Sequence, residues 1–137
     1  MLLPMAAVEL YLRGQDQDQT ILPARIERGL PDADTLLRGF DRMLILTPTP
    51  GPGFQAEGLI DGSMVTVRCV GAQDDYDDAE KLAGAVDGLM VTDGNVNVGG
   101  FGTLGISRAG GPPTPVMKDS SKRTHFQCSY VIPVQSR

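Results

Sequence analysis

The chain has 137 residues, a net charge of −5, 41% hydrophobic and 5% aromatic residues, and no Trp. That length fits a single domain, residues 1–137, which buries roughly two-thirds of its unfolded surface in a core of Val, Ile, Leu, Met and Ala. The acidic balance excludes a dedicated nucleic-acid binder, which needs Lys and Arg to neutralise phosphates, and a binder of anionic membrane surfaces.

In chain order, residues 3–13 read as a short helix. Leu3, Ala6, Ala7 and Leu10 recur at helical spacing, Pro4 suits the first turn, and Gly14 is a stop signal. Gln15 to Gln19 is polar and reads as an exposed loop. A short strand near residues 24–28 is followed by a turn-rich connection over 29–37. Residues 40–47 form a better strand, in which the unbroken apolar run Met43–Leu46 implies cover on both faces. The run Thr47-Pro48-Thr49-Pro50-Gly51-Pro52-Gly53 lacks the N–H donors of a regular ladder and is expected to be a protruding loop.

Segments 56–60 and 63–70 read as two strands of a hairpin turned by Asp61-Gly62, with Val65, Val67 and Cys69 on one face and Thr66 and Arg68 on the other. The clearest helix spans 74–91, with Ala79, Leu82, Ala83, Val86 and Leu89 as its apolar stripe. Asp74, Asp75, Asp77 and Asp78 favour the positive end of its dipole, and one of them can cap it. Asp93-Gly94 turns the chain. Residues 103–109 read as a strand with Leu104 and Ile106 on one face, and 110–115 as a second rigid loop. The last strand, 123–134, alternates Phe126, Cys128, Tyr130, Ile132 and Val134 with polar His125, Gln127 and Ser129, and Pro133 marks its end or a sheet edge. The expected fold is α/β in the broad sense, an α+β domain: a mixed, mainly antiparallel β-sheet with two helices packed on it.

Chemistry-bearing motifs are few. Gly100-Phe101-Gly102-Thr103-Leu104-Gly105 has the literal spacing of a dinucleotide loop, but Gly110-Gly111-Pro112-Pro113 soon after leaves no room for the helix that would hold a pyrophosphate. A loop or bulge is the expected form. The acidic cluster 74–78 lacks the Gly and terminal Glu of a calcium loop and reads as a helix start. His125, the chain's one histidine, falls on the outward face of the last strand, with no nucleophile signature and no second metal ligand nearby. Cys69 and Cys128 have no metal or redox spacing. They read as free buried thiols, with a disulfide as the lesser alternative, and an intracellular site is the default. The expectation is therefore no enzyme, no cofactor and no metal.

No apolar run approaches the ~18 residues of a membrane span. Met1 to Tyr11 has no basic leader and is interrupted by Glu9, so no signal peptide is expected. Asp119 and Arg123, four residues apart, read equally as an exposed ion pair and as a subunit contact.

The phrases Val65–Gly71, Ala79–Val86, Ser107-Arg108-Ala109-Gly110-Gly111-Pro112-Pro113, then Asp119, Arg123 and Tyr130–Val134, in this order of elements, resemble the tail terminator proteins of long-tailed bacteriophages, also called tail completion or minor tail proteins. Over most of the chain the resemblance implies a tail-terminator-like fold and a structural virion protein. Such a protein is made in the host cytoplasm and forms a hexameric ring at the head–tail junction. It ends polymerisation of the tail tube and joins tail to head, with tail-tube protein and head-completion or connector proteins as partners. DNA would pass through the lumen without specific binding, which six copies of an acidic chain would favour. A head–tail connector or head-closure subunit would look much alike. A small ligand-binding domain using residues 99–105 is the alternative from another class. The candidate interface residues are Pro48, Pro50, Pro52, Pro112, Pro113, Asp119 and Arg123, because stiff proline arms lose little entropy on docking.

Overall fold

The computed structural model describes residues 3–29, 42–49 and 60–135. Among these residues two helices, α1 (Met5–Gln15) and α2 (Tyr76–Met90), accompany strands β1 (Arg25–Arg28), β2 (Met43–Thr49), β3 (Ile60–Gln73), β4 (Val96–Val98), β5 (Phe101–Thr103), β6 (Ser107–Arg108), β7 (Thr114–Lys118) and β8 (Arg123–Gln135). The strands form one mixed sheet of order β1-β2-β3-β8-β5-β4, with β6 and β7 also paired to β8. Among the described residues only β1–β2 is parallel; every other pairing is antiparallel. This is the expected α+β architecture.

The core lies between the sheet and the two helices. Leu44, Leu46, Val65, Val67, Cys69, Phe126, Cys128, Tyr130, Ile132 and Val134 pack in one cluster with residues of α1 and α2. The strict alternation of β3 and β8 produces this, because every second side chain points to the helix-covered face. Met43, Ile45 and Val70 form a smaller buried cluster on the opposite face, so the run Met43–Leu46 is buried on both sides as its composition implies.

α2 buries Ala79, Leu82, Ala83 and Val86 of the expected stripe, together with Asp87 and Met90, while Leu89 is half-buried. Asp75 is the cap, accepting from the Asp78 N–H at 3.0 Å. α1 keeps Leu3 and Ala7 of its expected stripe buried but is turned from the expected face at its other positions. Ala7, Val8, Tyr11 and Leu12 are buried, whereas Ala6 is exposed and Leu10 is 67% exposed. Both stripes have helical spacing, and the larger Val8–Tyr11–Leu12 set gains more by burial. The helix also starts after Pro4 and runs past Gly14 to Gln15. The polar stretch beyond it is not all exposed. Asp16 is buried, and its carboxylate accepts the N–H groups of Thr20, Ile21 and Leu22.

Several turns fall elsewhere than expected. Asp61-Gly62 lies inside β3, paired with Val134 and Pro133. A long partner strand supplies a ladder there, and Asp-Gly permits a turn without forcing one. Residues 56–59 lie outside the described residues. The two-residue turn is instead Gly99-Gly100, joining β4 and β5. Both glycines have positive φ, 57° and 93°, as a type I′ turn demands. Gly99 also comes so close to α1 that a Cβ would lie 2.5 Å from the Ala7 Cβ. The strand expected over 103–109 is broken at Gly105, where φ is +94°; Ile106 is buried but Leu104 is 38% exposed. No helix follows the Gly-rich segment; the next element is β6.

Candidate functional site

The residues singled out as an interface do not share one environment. Pro48 is exposed, but it lies in β2, in register with Val65, rather than in a loop. The parallel register with β1 ends at Leu46, so the missing N–H of Pro48 falls beyond that pairing, where an edge tolerates proline. Pro50 and Pro52 lie outside the described residues, as does most of the 47–53 loop expectation.

Pro112 is exposed and Pro113 half-buried, in a loop that is shorter than expected, since β7 already begins at Thr114. This loop arches over the edge of β8 between the stretches paired to β6 and to β7. Its base is fixed by three contacts. The Ala109 N–H donates to the Ser129 carbonyl at 2.8 Å. Arg108 reaches both oxygens of Asp87 on α2, through Nε to Oδ1 at 3.0 Å and through Nη2 to Oδ2. The Tyr130 hydroxyl donates to the same Oδ1 at 2.8 Å. The hydrogen bond from Arg108, supported by that from Tyr130, holds the Asp87 carboxyl below its ordinary pKa against the effect of burial. Burial pushes the Tyr130 phenol upward. The carboxylate is therefore a fixed anion that ties a helix, the central strand and the loop base together.

Beneath the loop is an open concavity of about 320 Å³, lined among others by Met64, Pro112, Gln127, Cys128 and Ser129. On the helix side Pro113 lines a narrow gap with Ala83, Phe126 and Cys128. The loop is thus a proline arm seated on a rigid base, and its outer face is free to meet another surface. Beside it, all five residues of β7 are exposed, including Val116 and Met117.

Asp119 and Arg123 do meet, but not on the surface. Their side chains are 4% and 0% exposed, with Arg123 Nε 3.2 Å from Asp119 Oδ2. The expectation of an exposed pair is corrected here. Asp119 turns β7 into β8, with Oδ1 accepting the N–H groups of Ser121 and Arg123, so its carboxylate is committed to the turn. His125, expected to face outward, is fully buried and bonded through Nε2 to Asp119 Oδ2 at 2.8 Å. Period-two alternation placed it on the polar face correctly, but at this end that face is buried, with Val70 opposite His125 and Asp119 bonded to its ring.

Sequence reasoning missed the Asp87–Arg108–Tyr130 contact. A signal was present: Asp87 is an acid within the buried stripe of α2, where an unpaired carboxylate would be costly, so a partner was implied. Nothing local marked His125. Cys69 and Cys128 are free and buried as expected. Among the described residues, no helix is long and apolar enough to cross a membrane, and no three His, Cys, Asp or Glu side chains group as metal ligands would.

No family model and no curated protein matches the sequence. The fold itself is shared with solved structures. A chain from the virion of a native gene transfer agent particle matches with a TM-score of 0.63 at 12% identity, over 96% of this chain and 97% of that one. A second solved chain, whose name states no activity, matches with a TM-score of 0.57 at 21% identity, over 97% and 94%. The likeness is one of fold over essentially the whole length.

Proposed function

We propose that this chain is a structural virion protein that acts by assembly rather than catalysis, and within that class a tail terminator. Its copies would form a ring, of six in the resembled family, at the head-proximal end of a phage-type tail tube, ending tube growth and offering the surface that joins tail to head. The observation that carries the reading is the full-length fold match to a chain of a gene transfer agent virion, reached independently of the short phrases in the sequence that resemble tail terminators. The seated proline arm at Pro112-Pro113 is the surface best suited to contact a neighbouring copy or tail partner. It is exposed, stiff, and fixed at its base by Arg108 and Asp87, so it loses little freedom on docking. Asp119 and Arg123 are taken up inside the protomer and are not part of that surface.

The test is solution mass by light scattering, with and without assembled tail tubes, followed by electron microscopy of the tubes. A ring alone, or density added at one tube end, supports a terminator. A chain that ignores tubes but binds portal-side protein is a connector. A strict monomer that binds neither overturns the assembly reading.

A further inference from the structure

We propose that the β7–β8 hairpin is a pH-operated clasp, in which the buried His125 ring resists a proton while the hairpin is closed and takes one up when it opens, so that acid releases β7 from the sheet. This goes beyond the assembly reading and does not depend on it.

The geometry is that of a latch. Among the described strands β7 pairs with β8 alone, and all its residues are exposed, so besides the ladder and the turn it is held by two exposed side-chain contacts, Arg68 Nη1 to Met117 Sδ at 3.6 Å and Lys118 Nζ to Asp74 at 3.9 Å. The turn is organised by one carboxylate, Asp119, which receives two backbone N–H groups, Arg123 Nε and His125 Nε2. His125 lies opposite Val70 on β3 and Met117 on β7, so its ring is packed between the strand that stays and the strand that would leave.

The state of the ring follows from its partners. Nε2–H donates to Asp119, which leaves Nδ1 as an acceptor in the neutral ring. Nδ1 is buried and has no hydrogen-bond partner among the described residues. Protonation would turn it into a buried donor with nothing to accept it, a change that costs the full desolvation of that group. The charged groups that face the ring among the described residues are Asp119 from the turn, Arg123 from β8 and Arg68 from β3. A further positive charge would join two guanidinium groups against one carboxylate. Burial accordingly holds the imidazole below its ordinary pKa, with Asp119 pulling the other way.

The sign is fixed by this arrangement. An opened hairpin lets the ring take a proton near its ordinary pKa of about 6.5, and the closed one resists it, so opening gains ground as pH falls below about 6.5. Opening frees Val116 and Met117 and bares the edge of β8 to which β7 was paired.

The experiment is amide hydrogen exchange on the full chain between pH 7.5 and 5, corrected for the intrinsic pH dependence, with the single histidine followed by NMR. Protection over residues 114–118 should fall by up to about tenfold per pH unit below about 6.5, the slope of one proton taken up on opening. α2 and the middle of β3 should keep theirs. His125→Phe, and His125→Gln should the first not fold, should remove the pH dependence. Constant protection in β7 across this range overturns the clasp. So does a loss spread equally over α2 and β3, or a β7 transition that persists in a folded His125 variant.

Discussion

Tyr130 and Asp87, 43 residues apart, are joined by a hydrogen bond of 2.8 Å inside the protein, and through it β8 is anchored to α2. The phenol sits at the end of a side chain that is 1% exposed, so its hydroxyl has no water to fall back on. Tyr130→Phe should cost about 1 kcal/mol, the net value of one such bond. Asp87→Ala should cost more, roughly 1–3 kcal/mol, because it strands the hydroxyl unpaired. In the double variant the losses should add to less than their sum, since both remove the same contact. Urea denaturation of the four proteins measures this; strict additivity would mean that the two side chains do not act on each other.

The acidic groups set a second expectation, for stability against pH. Hydrogen bonds from Arg108 and Tyr130 hold Asp87 below its ordinary pKa. Burial works against Asp119, but the bonds from His125 and the Arg123 backbone prevail and hold it low as well. A carboxyl whose folded pKa is depressed contributes stability that is complete above the unfolded value, about 4, and is lost as pH falls through the folded one. His125 is depressed by burial, so its contribution is complete above about 6.5 and declines as pH drops from there toward its folded value. The urea midpoint should therefore fall in two separate stages on acidification, one below about 6.5 and one below about 4. Asp87→Asn should weaken the second stage alone; a variant that flattens both would contradict the separate assignment of the two sites.

Two glycines should respond in opposite directions to the same substitution. Gly84 lies in α2, exposed, with no atom near the place a Cβ would occupy. Gly84→Ala should raise stability by about 0.5–1 kcal/mol through helix propensity alone. Gly71 in β3 faces the start of α2, and an added Cβ would sit 2.6 Å from the Ala79 Cβ and 2.7 Å from its Cα. Neither backbone can yield cheaply, so Gly71→Ala should destabilise by roughly 1–3 kcal/mol, the range for overpacking. Thermal melts of the two variants suffice. A stable Gly71→Ala protein would mean that α2 docks on β3 less tightly than the structure shows.

How far the sequence carries is visible at particular residues. Phe126 to Val134 and Val65 to Cys69 alternate with period two, and both strands lie where that alternation puts them, core face included. Ala79 to Val86 at helical spacing likewise places α2. Turn chemistry transferred less well. Asp61-Gly62 has the composition of a hairpin turn, yet Val134 and Pro133 opposite it keep the strand straight, a choice made by long-range pairing that no local window contains. At the candidate site, Pro112-Pro113 was legible because proline states its own stiffness. The burial of Asp119, Arg123 and His125 was not, because it depends on the Asp119 carboxylate of the turn meeting both side chains and on Val70 of β3 lying opposite His125. The stripe expected for α1 was half right for a simpler reason: Leu3 and Ala7 are buried, but Ala6 and Leu10 give way to Val8, Tyr11 and Leu12, which share helical spacing with them and bury more apolar surface.

The two thiols offer a direct reading of how firmly the proline arm is held. Burial raises the pKa of both, most strongly that of Cys69, so neither supplies much reactive thiolate near neutral pH. They differ in what covers them. Both belong to the core cluster and both line the narrow gap beside Pro113, but only Cys128 also lines the concavity under the loop, with its Sγ 3.8 Å from the Gly111 carbonyl. Local opening of the arm should therefore expose Cys128 while Cys69 waits for global unfolding, two events of different free energy in one molecule. Thiol-reagent kinetics on Cys69→Ala and Cys128→Ala should show Cys128 modified first. Arg108→Ala, which removes the guanidinium from Asp87 and loosens the loop base, should accelerate Cys128 several-fold and leave Cys69 unchanged. Equal rates at the two cysteines, or equal acceleration of both, would mean that the arm opens only when the whole domain does, and Arg108 would then be a contributor to global stability instead of the anchor of the loop.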